Sequence, residues 1–524
     1  MIRSLLFLMI FWSFSVTAQK PGKNRILLIP LDDRPPCLQF TQRMGQIAGA
    51  EVVAPPLAML GQFTTPGQSE AIGQWILSQD LSSFDAAIVC LDMLAYGGLV
   101  GSRVHQVPLE TAVKRLEIIA KLREKAPRLP LYAQSVLMRL APSADMKNDA
   151  YRAQLARWAE ISPDPSRQEE TAQLAKVIPA TALADYQQAR LRNHTINKKA
   201  IEWVKKGMID YLLITQDDAK PQGVHIAEGQ RLREQIKQQN LQAKVALQPG
   251  TDEVSMLLLA RFLTQKAAFT PKIKVYYSSD SLSKRAMPFE DRPLTTSVRY
   301  QIESAGATQV DKEADAQILL YVYTSRQQPQ RAISFVNEIK EKLASRKHVI
   351  VADIDPVGNV QGGDSVFSAL LIKHQLLPAL SGYASWNTAG NTLGTALPQG
   401  VTYYLASQRF KQPKTALYSA QQWFLLNRVL DDYYFHTLIR PEANRRFGKP
   451  GLGALILDES RNKQVEAFCL DRLQGYLKTL EQDYFTSKPF ASFCQRPQHL
   501  QFSLPWHRTF EALIDFDLDC SRKN

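Results

Sequence analysis

A chain of 524 residues, 45% apolar and 22% charged, has the composition of a folded protein; it is long enough for one large α/β domain with an accessory module or for two to three ordinary domains. The formal net charge is +13, but the 63 Lys and Arg are interspersed with 50 Asp and Glu, so the excess reads as general surface charge and nucleic acid is not an expected partner. The five cysteines fit no zinc template and the eight histidines are scattered, which argues against a built-in transition-metal site; no cofactor motif is present and none is expected.

The chain opens with a basic start at Met1-Ile2-Arg3, an apolar run over residues 5–16 and small residues at Val16 and Ala18, the layout of a secretory signal peptide (1–18) cleaved before Gln19. The run is shorter than the ~20 residues of a membrane span, and no later segment is long and apolar enough, so no span is expected after cleavage. The mature protein is expected to be periplasmic or secreted. Export would permit one disulfide among Cys469, Cys494 and Cys520, with Cys494 and Cys520 the candidate pair. Cys37 and Cys90 lie among apolar residues and read as small buried hydrophobes.

Residues 25–31 form a first expected strand, ending at Asp32-Asp33-Arg34, where Pro35 and Pro36 stop it and hold the charges at its rim. A second, at 51–54, is stopped by Pro55-Pro56. A third, at 86–91, ends at Asp92 and runs into Tyr96-Gly97-Gly98, a loop that matches neither common phosphate-binding pattern and reads as a flexible rim. The fourth, at 131–138, delivers Arg139. Residues of about 145–205 are polar and helical, interrupted by Ser-Pro-Asp-Pro-Ser at 162–166, and read as an inserted lid or subdomain. The strand at 211–215 has a buried, β-branched and aromatic make-up and ends in two adjacent acids, Asp217 and Asp218. Further strands are expected at 244–247, 272–277, 317–323 and 349–352. The first of these ends at Asp252-Glu253 and the last at Asp353-Ile354-Asp355. Asp364 or Ser365 reads as the N-cap of an apolar helix, and Trp386-Asn387-Thr388-Ala389-Gly390-Asn391 as a turn. Beyond residue 405 the character changes to long helices and a tail with strand-like segments at 500–504 and 509–516.

Strands that alternate with helices imply an α/β fold with a mostly parallel sheet over residues 19–405, followed by a helical and short-strand module at 406–524. Nine or ten strands exceed the eight of a simple barrel, so either a barrel carries extra strands or two open sheets share them. A polar residue at nearly every strand end favours the TIM-barrel-like arrangement with extra strands.

Parallel strands bring their carboxyl ends to one face, which gathers Asp32, Asp33, Arg34, Asp92, Arg139, Asp217, Asp218, Asp252, Glu253 and Asn387, with Tyr96 and Trp386 as aromatic platforms. Asp353 and Asp355 offer hard oxygen ligands, but an Asp-x-Asp alone assigns no metal. Carboxylates that accept hydroxyl hydrogen bonds beside an aromatic surface suit a carbohydrate or another small polar substrate. Adjacent acids repel, so one holds its proton longer than the other, as glycoside cleavage requires of its acid and its ionised partner.

Leu31-Asp32-Asp33-Arg34-Pro35, Tyr96-Gly97-Gly98-Leu99, Gln216-Asp217-Asp218, Gly250-Thr251-Asp252-Glu253, Gly362-Gly363-Asp364 and Trp386–Asn391 together resemble a bacterial family of about this length catalogued as a domain of unknown function. That resemblance implies no activity. Asp217-Asp218 and Trp386-Asn387 are also locally similar to substrate-assisted barrel β-hexosaminidases. This similarity implies that Asp217 polarises a substrate acetamido group and Asp218 donates the proton. The leading expectation is an exported glycoside hydrolase with Asp217 and Asp218 catalytic. Substrate binding then falls to Asp32, Asp33, Arg34, Asp92, Tyr96, Arg139, Asp252, Glu253, Trp386, Asn387 and Asn391. A metal-assisted hydrolase and a non-catalytic periplasmic sugar-binding protein are the alternatives.

Overall fold

The computed structural model describes residues 24–144, 147–359, 361–448, 454–486, 494, 496–518 and 520. The expected signal peptide and its cleavage site lie outside the described residues. Eleven strands form two parallel sheets. In the first, β1 (Arg25–Ile29), β2 (Glu51–Val53), β3 (Ala86–Cys90), β4 (Leu131–Leu137), β5 (Tyr211–Gln216) and β6 (Val245–Pro249) run in the order β2-β1-β3-β4-β5-β6. In the second, β7 (Lys272–Tyr277), β8 (Thr308–Val310), β9 (Ile318–Tyr323), β10 (His348–Asp353) and β11 (Gly382–Ala384) run β11-β10-β9-β7-β8.

The α/β class, the parallel strands and the C-terminal helical part are as expected. Of the two arrangements open to the sequence, the hydrogen bonding gives two open sheets rather than one barrel-like ring. The reason lies in two helices, Val254–Lys266 and Ala389–Gln408, which are buried on nearly all sides. The helices around a barrel need one apolar face, whereas these two fill the space between the sheets. Val254–Lys266 packs on β3 and β4, and Ala389–Gln408 on β10 and β11 and on its partner helix. Strands β8 and β11, three residues each, carry too little pattern to stand out in the sequence.

Both faces of the first sheet are apolar, as a parallel sheet covered on both sides requires. Ile26, Leu28, Ile88 and Leu213 face the shared core, while Leu27, Ile29, Val89 and Leu212 pack on the outer helices. Each sheet is wound the same way: its first strand pairs with a second on one side, and the chain then crosses to the other side for the third. The winding reverses at β1/β3 and at β7/β9, and outside the carboxyl ends at such reversals an open α/β sheet has a crevice for ligand.

The insertion between β4 and β5 is helical, with helices Arg152–Ile161, Gln168–Val177 and Ala180–Lys205. It builds a small core of its own from residues that include Leu155, Ala159, Ile178 and Tyr186 over Met138 and Leu140 at the end of β4. The C-terminal part comprises helix Lys414–Arg428, a π-helical stretch Val429–Ile439, helices Arg440–Phe447 and Glu459–Asp483, and the antiparallel hairpin β12 (Gln498–Ser503) and β13 (Leu513–Asp517). A disulfide joins Cys494 to Cys520, the candidate pair, and Cys37, Cys90 and Cys469 are buried free thiols. The shared core runs without a break across residue 405 into this part. Among the described residues no helix is long and apolar enough to cross a membrane.

Candidate functional site

The polar constellation begins where β1 ends. Asp32 is 2% exposed and Arg34 is 3% exposed, and the guanidinium grips two carboxylates at once. Its Nε and Nη2 donate to Asp32 at 3.0 and 2.7 Å, and its Nη2 and Nη1 donate to Asp252 at 2.7 and 2.9 Å. Nη1 also reaches Glu511 Oε1 at 3.2 Å, and Trp506 lies against the guanidinium, 4.4 Å from its carbon to the ring centroid. Burial pushes Asp252 up to about 6 against the pull of Arg34, whereas at Glu511 the effect of burial is outweighed by Arg508 and Arg34, which hold it at about 2.

Asp33 lives differently from its neighbour. It is partly exposed, it accepts the indole N–H of Trp506 at 2.6 Å, and loss of solvent pushes its carboxyl up to about 7 despite that bond. The two adjacent acids at the β1/β3 reversal are thus one clamped carboxylate and one half-open carboxyl.

At the end of β5, Asp217 is buried and takes Arg103 Nη2 and Nε at 2.6 and 3.0 Å. Asp218 stands at the rim with φ +34, 26% exposed in its side chain, and pairs with Arg139 at 2.6 Å. The left-handed turn at Asp218 lets both acids stay on the carboxyl edge instead of alternating to opposite faces of the strand. Arg139 is within electrostatic reach of Asp218, Asp217 and Asp252, and its buried Nε–H has no protein acceptor.

Several expected site residues turn out to be framework. Asp92 is buried, accepts Val136 N at 2.9 Å and thereby ties β3 to β4; burial pushes it up to about 7. Tyr96 is 1% exposed beneath Arg192, whose guanidinium carbon lies 4.1 Å from the ring centroid. Trp386 is 5% exposed, donates to Thr395 Oγ1 at 3.1 Å and meets Phe40 edge-on. Neither aromatic is a platform, because apolar rings beside sheet strands gain more from core burial than from exposure. The glycines after Tyr96 are buried packing positions instead of a flexible rim: a Cβ on Gly97 would lie 2.6 Å from the Gly67 nitrogen.

The Trp386–Asn391 turn joins the two sheets. Asn387 Nδ2 donates to Asn391 Oδ1 at 2.7 Å, Asn391 Nδ2 donates to Glu253 Oε2 at 2.8 Å, and Glu253 also accepts Thr251 N at 3.0 Å. Glu253 is fully buried and Glu290, which accepts the Gly390 N–H of the same turn, is 2% exposed; burial pushes both up to about 7. Each holds its proton in the folded state well above the ordinary 4.5, so each opposes folding as pH rises from 4.5 towards 7 and adds no further slope above that. Urea unfolding is expected to show Glu253→Gln losing less stability than the parent between pH 5 and pH 8; equal losses would remove Glu253 from the linkage.

Gly250 has φ +101, and a Cβ there would lie 1.8 Å from Glu253 Oε1. Gly250→Ala therefore both strains the backbone and expels the carboxyl from its bonds, with an expected cost of about 2–4 kcal/mol in urea unfolding. A change below the scatter of the method would mean that Glu253 relocates freely.

At the second sheet, Arg326 reaches Asp353 at 3.2 Å, Asp353 accepts Asp364 N at 2.6 Å, and Asp364 caps its helix through Val366 N and Phe367 N, as expected. Asp432, on the π-helical stretch, accepts Ser385 N at 2.6 Å and Arg428 Nη1 at 2.8 Å. Among the described residues no group of three or more His, Cys, Asp or Glu side chains is placed to hold a metal ion. A groove of about 1320 Å³, lined among others by Gln39, Arg43, Lys266, Trp423 and Asp515, runs along the amino ends of the first sheet, away from this constellation. Arg103, Trp506, Arg508, Glu511 and Glu290 belong to the constellation and its joint without having been expected there, because no local pattern marks them.

A family model described as protein of unknown function, DUF4127, matches residues 26–515, in keeping with the family that the motif set resembles. No curated protein matches the chain. Among solved structures, the chain is similar to the carboxyl transferase domain of Rhizobium etli pyruvate carboxylase with pyruvate, at 13% identity over 87% of this chain and 61% of that one, with a TM-score of 0.18. The complete multifunctional pyruvate carboxylase from Rhizobium etli aligns at 12% identity over 88% of this chain and 36% of that one, with a TM-score of 0.19. The chain thus spans about three-fifths of the first of these, and its fold is read from its own strand order.

Proposed function

This chain belongs to the DUF4127 family, and we propose that it is an exported carbohydrate-active hydrolase whose substrate lies on the carboxyl edge of the first sheet. The observation that carries the reading is the contrast between Asp32, clamped by Arg34 through both oxygens, and the half-open Asp33 beside it at the reversal of the winding. That contrast leaves Asp33 as the acid able to give up a proton, and a glycosidase needs a second carboxylate beside the scissile bond as its partner. In this reading Asp33 protonates the leaving oxygen. Asp218, paired with Arg139 at the rim, faces the positive charge that develops on the sugar.

The assignment differs from the one implied by the hexosaminidase similarity, in which Asp218 is the donor. Asp218 is engaged by the Arg139 guanidinium at 2.6 Å, whereas the side-chain partner of Asp33 is the indole N–H of Trp506. The Cys494–Cys520 disulfide supports export, since such bonds persist in oxidising compartments. Turnover of a panel of aryl glycosides, N-acetylhexosaminides included, by the chain from Gln19 tests the reading. Hydrolysis that survives chelator and is lost in Asp33→Asn is expected. Absence of turnover on every glycoside, with or without divalent ions, would sink it.

A further inference from the structure

The aromatic platform expected of a carbohydrate site is not Trp386 or Tyr96, both of which are core, yet one aromatic ring stands exposed beside the constellation. Phe289 is 39% exposed and has φ +66, a conformation that bulky residues rarely take. Its carbonyl accepts Ala219 N at 2.9 Å, so the strained residue is tied to the position directly after Asp218. Asp218 is itself left-handed, as are Gln361 and Asn387 at the carboxyl edge of the second sheet. A left-handed conformation at a bulky non-glycine residue is a cost that surrounding structure must impose.

The surroundings here do impose it. Glu290, the next residue, is buried; it accepts Ser297 Oγ and Gly390 N, which anchors the loop to the Trp386–Asn391 turn. Gly390 in turn stands against Gly250, where a Cβ would come within 3.1 Å of the Gly250 Cα. The loop tip is therefore held at two points, Ala219 after β5 and the turn after β11, and that turn stands against Gly250 after β6. Gly358 approaches it so closely that a Cβ there would lie 3.5 Å from the Phe289 ring, and the neighbouring Val357 is 68% exposed. The ring, 39% exposed, is thus held partly out of the core at this backbone cost, beside the residue that follows the Asp218 turn.

We propose that Phe289 is the stacking platform of the site, its ring taking the apolar face of a sugar ring whose hydroxyls reach Asp218 and Arg139. The occupant follows from the neighbours: carboxylate, guanidinium and amide groups beside one apolar face match a ring that is polar at its edge and apolar on its face. The proposal rests on the carbohydrate reading and deepens it by assigning a specificity-determining residue.

The test compares the parent chain with Phe289→Gly, which removes the ring and keeps the left-handed backbone, and with Phe289→Trp, which keeps an aromatic face. Kinetics on the best aryl glycoside, calorimetric binding of the matching oligosaccharide, thermal unfolding and solution mass are measured for each. The expected result is a KM raised about tenfold in Phe289→Gly with kcat within about twofold, restoration in Phe289→Trp, and an unfolding midpoint that does not fall. Hydrolysis with unchanged KM in Phe289→Gly overturns the platform and leaves the hydrolase reading standing. Without any turnover by the parent the hydrolase reading fails, and binding of oligosaccharide that weakens in Phe289→Gly still supports the platform, whereas no binding overturns it. A parent dimer that Phe289→Gly converts to monomer gives the ring to a second copy of the chain and also overturns it.

Discussion

Asp33→Asn is expected to reduce kcat by about 10²–10⁴-fold while KM stays near the parent value, because the amide retains an oxygen for the Trp506 N–H but has no proton to give. The pH profile provides a second readout. A donor that titrates near 7 is protonated below that pH, so activity is lost as pH rises through about 7. Trp506→Phe keeps an aromatic face for Arg34 and removes the N–H that favours the ionised form of Asp33, so the alkaline limb should move to higher pH. An Asp33→Asn enzyme with full activity, or a limb that stays in place in Trp506→Phe, would take the proton-donor role away from Asp33.

Arg34→Met is expected to destabilise the fold by about 3–5 kcal/mol, the range for removing one partner of a buried ion pair. The loss leaves Asp32 and Asp252 facing each other without a cation, while Glu511 retains Arg508. Arg34→Lys should recover little, because an ammonium cannot reproduce the fork that serves two carboxylates at once. Adding Asp252→Asn to Arg34→Met should return part of the loss by removing one uncompensated charge. Urea unfolding of the three variants provides the check, and a cost below about 1 kcal/mol for Arg34→Met would show that water reaches the cluster and that Arg34 is not its keystone.

These two expectations show how unevenly the site could be read from the chain. Asp32, Asp33 and Arg34 stand out because two prolines follow them and end the strand. Their partners do not: Asp252 lies 218 residues away and Glu511 477, and no local pattern marks either as belonging to Arg34. Asp217 and Asp218 were legible as a pair, but Arg103 and Arg139, which separate a buried acid from a rim acid, were not legible as their counter-ions. The aromatic platform was expected at Tyr96 and Trp386, both of which the core takes instead. Phe289, in a short loop with no periodicity, carried no signal at all.

By itself the sequence determined what depends on neighbours along the chain. Alternating apolar and polar segments set the strands and helices, chain ends of strands set where carboxylates appear, an aspartate before an apolar run set the cap at Asp364, and two late cysteines set the disulfide candidate. Tertiary structure decided the rest. Whether eleven strands close into a ring or part into two sheets depends on helices that need apolar surface on both sides, a property of packing across the core. Which acid is clamped and which is left half open depends on cations and ring N–H groups delivered from hundreds of residues away, because charge and desolvation act through space and the order of residues along the chain does not record it.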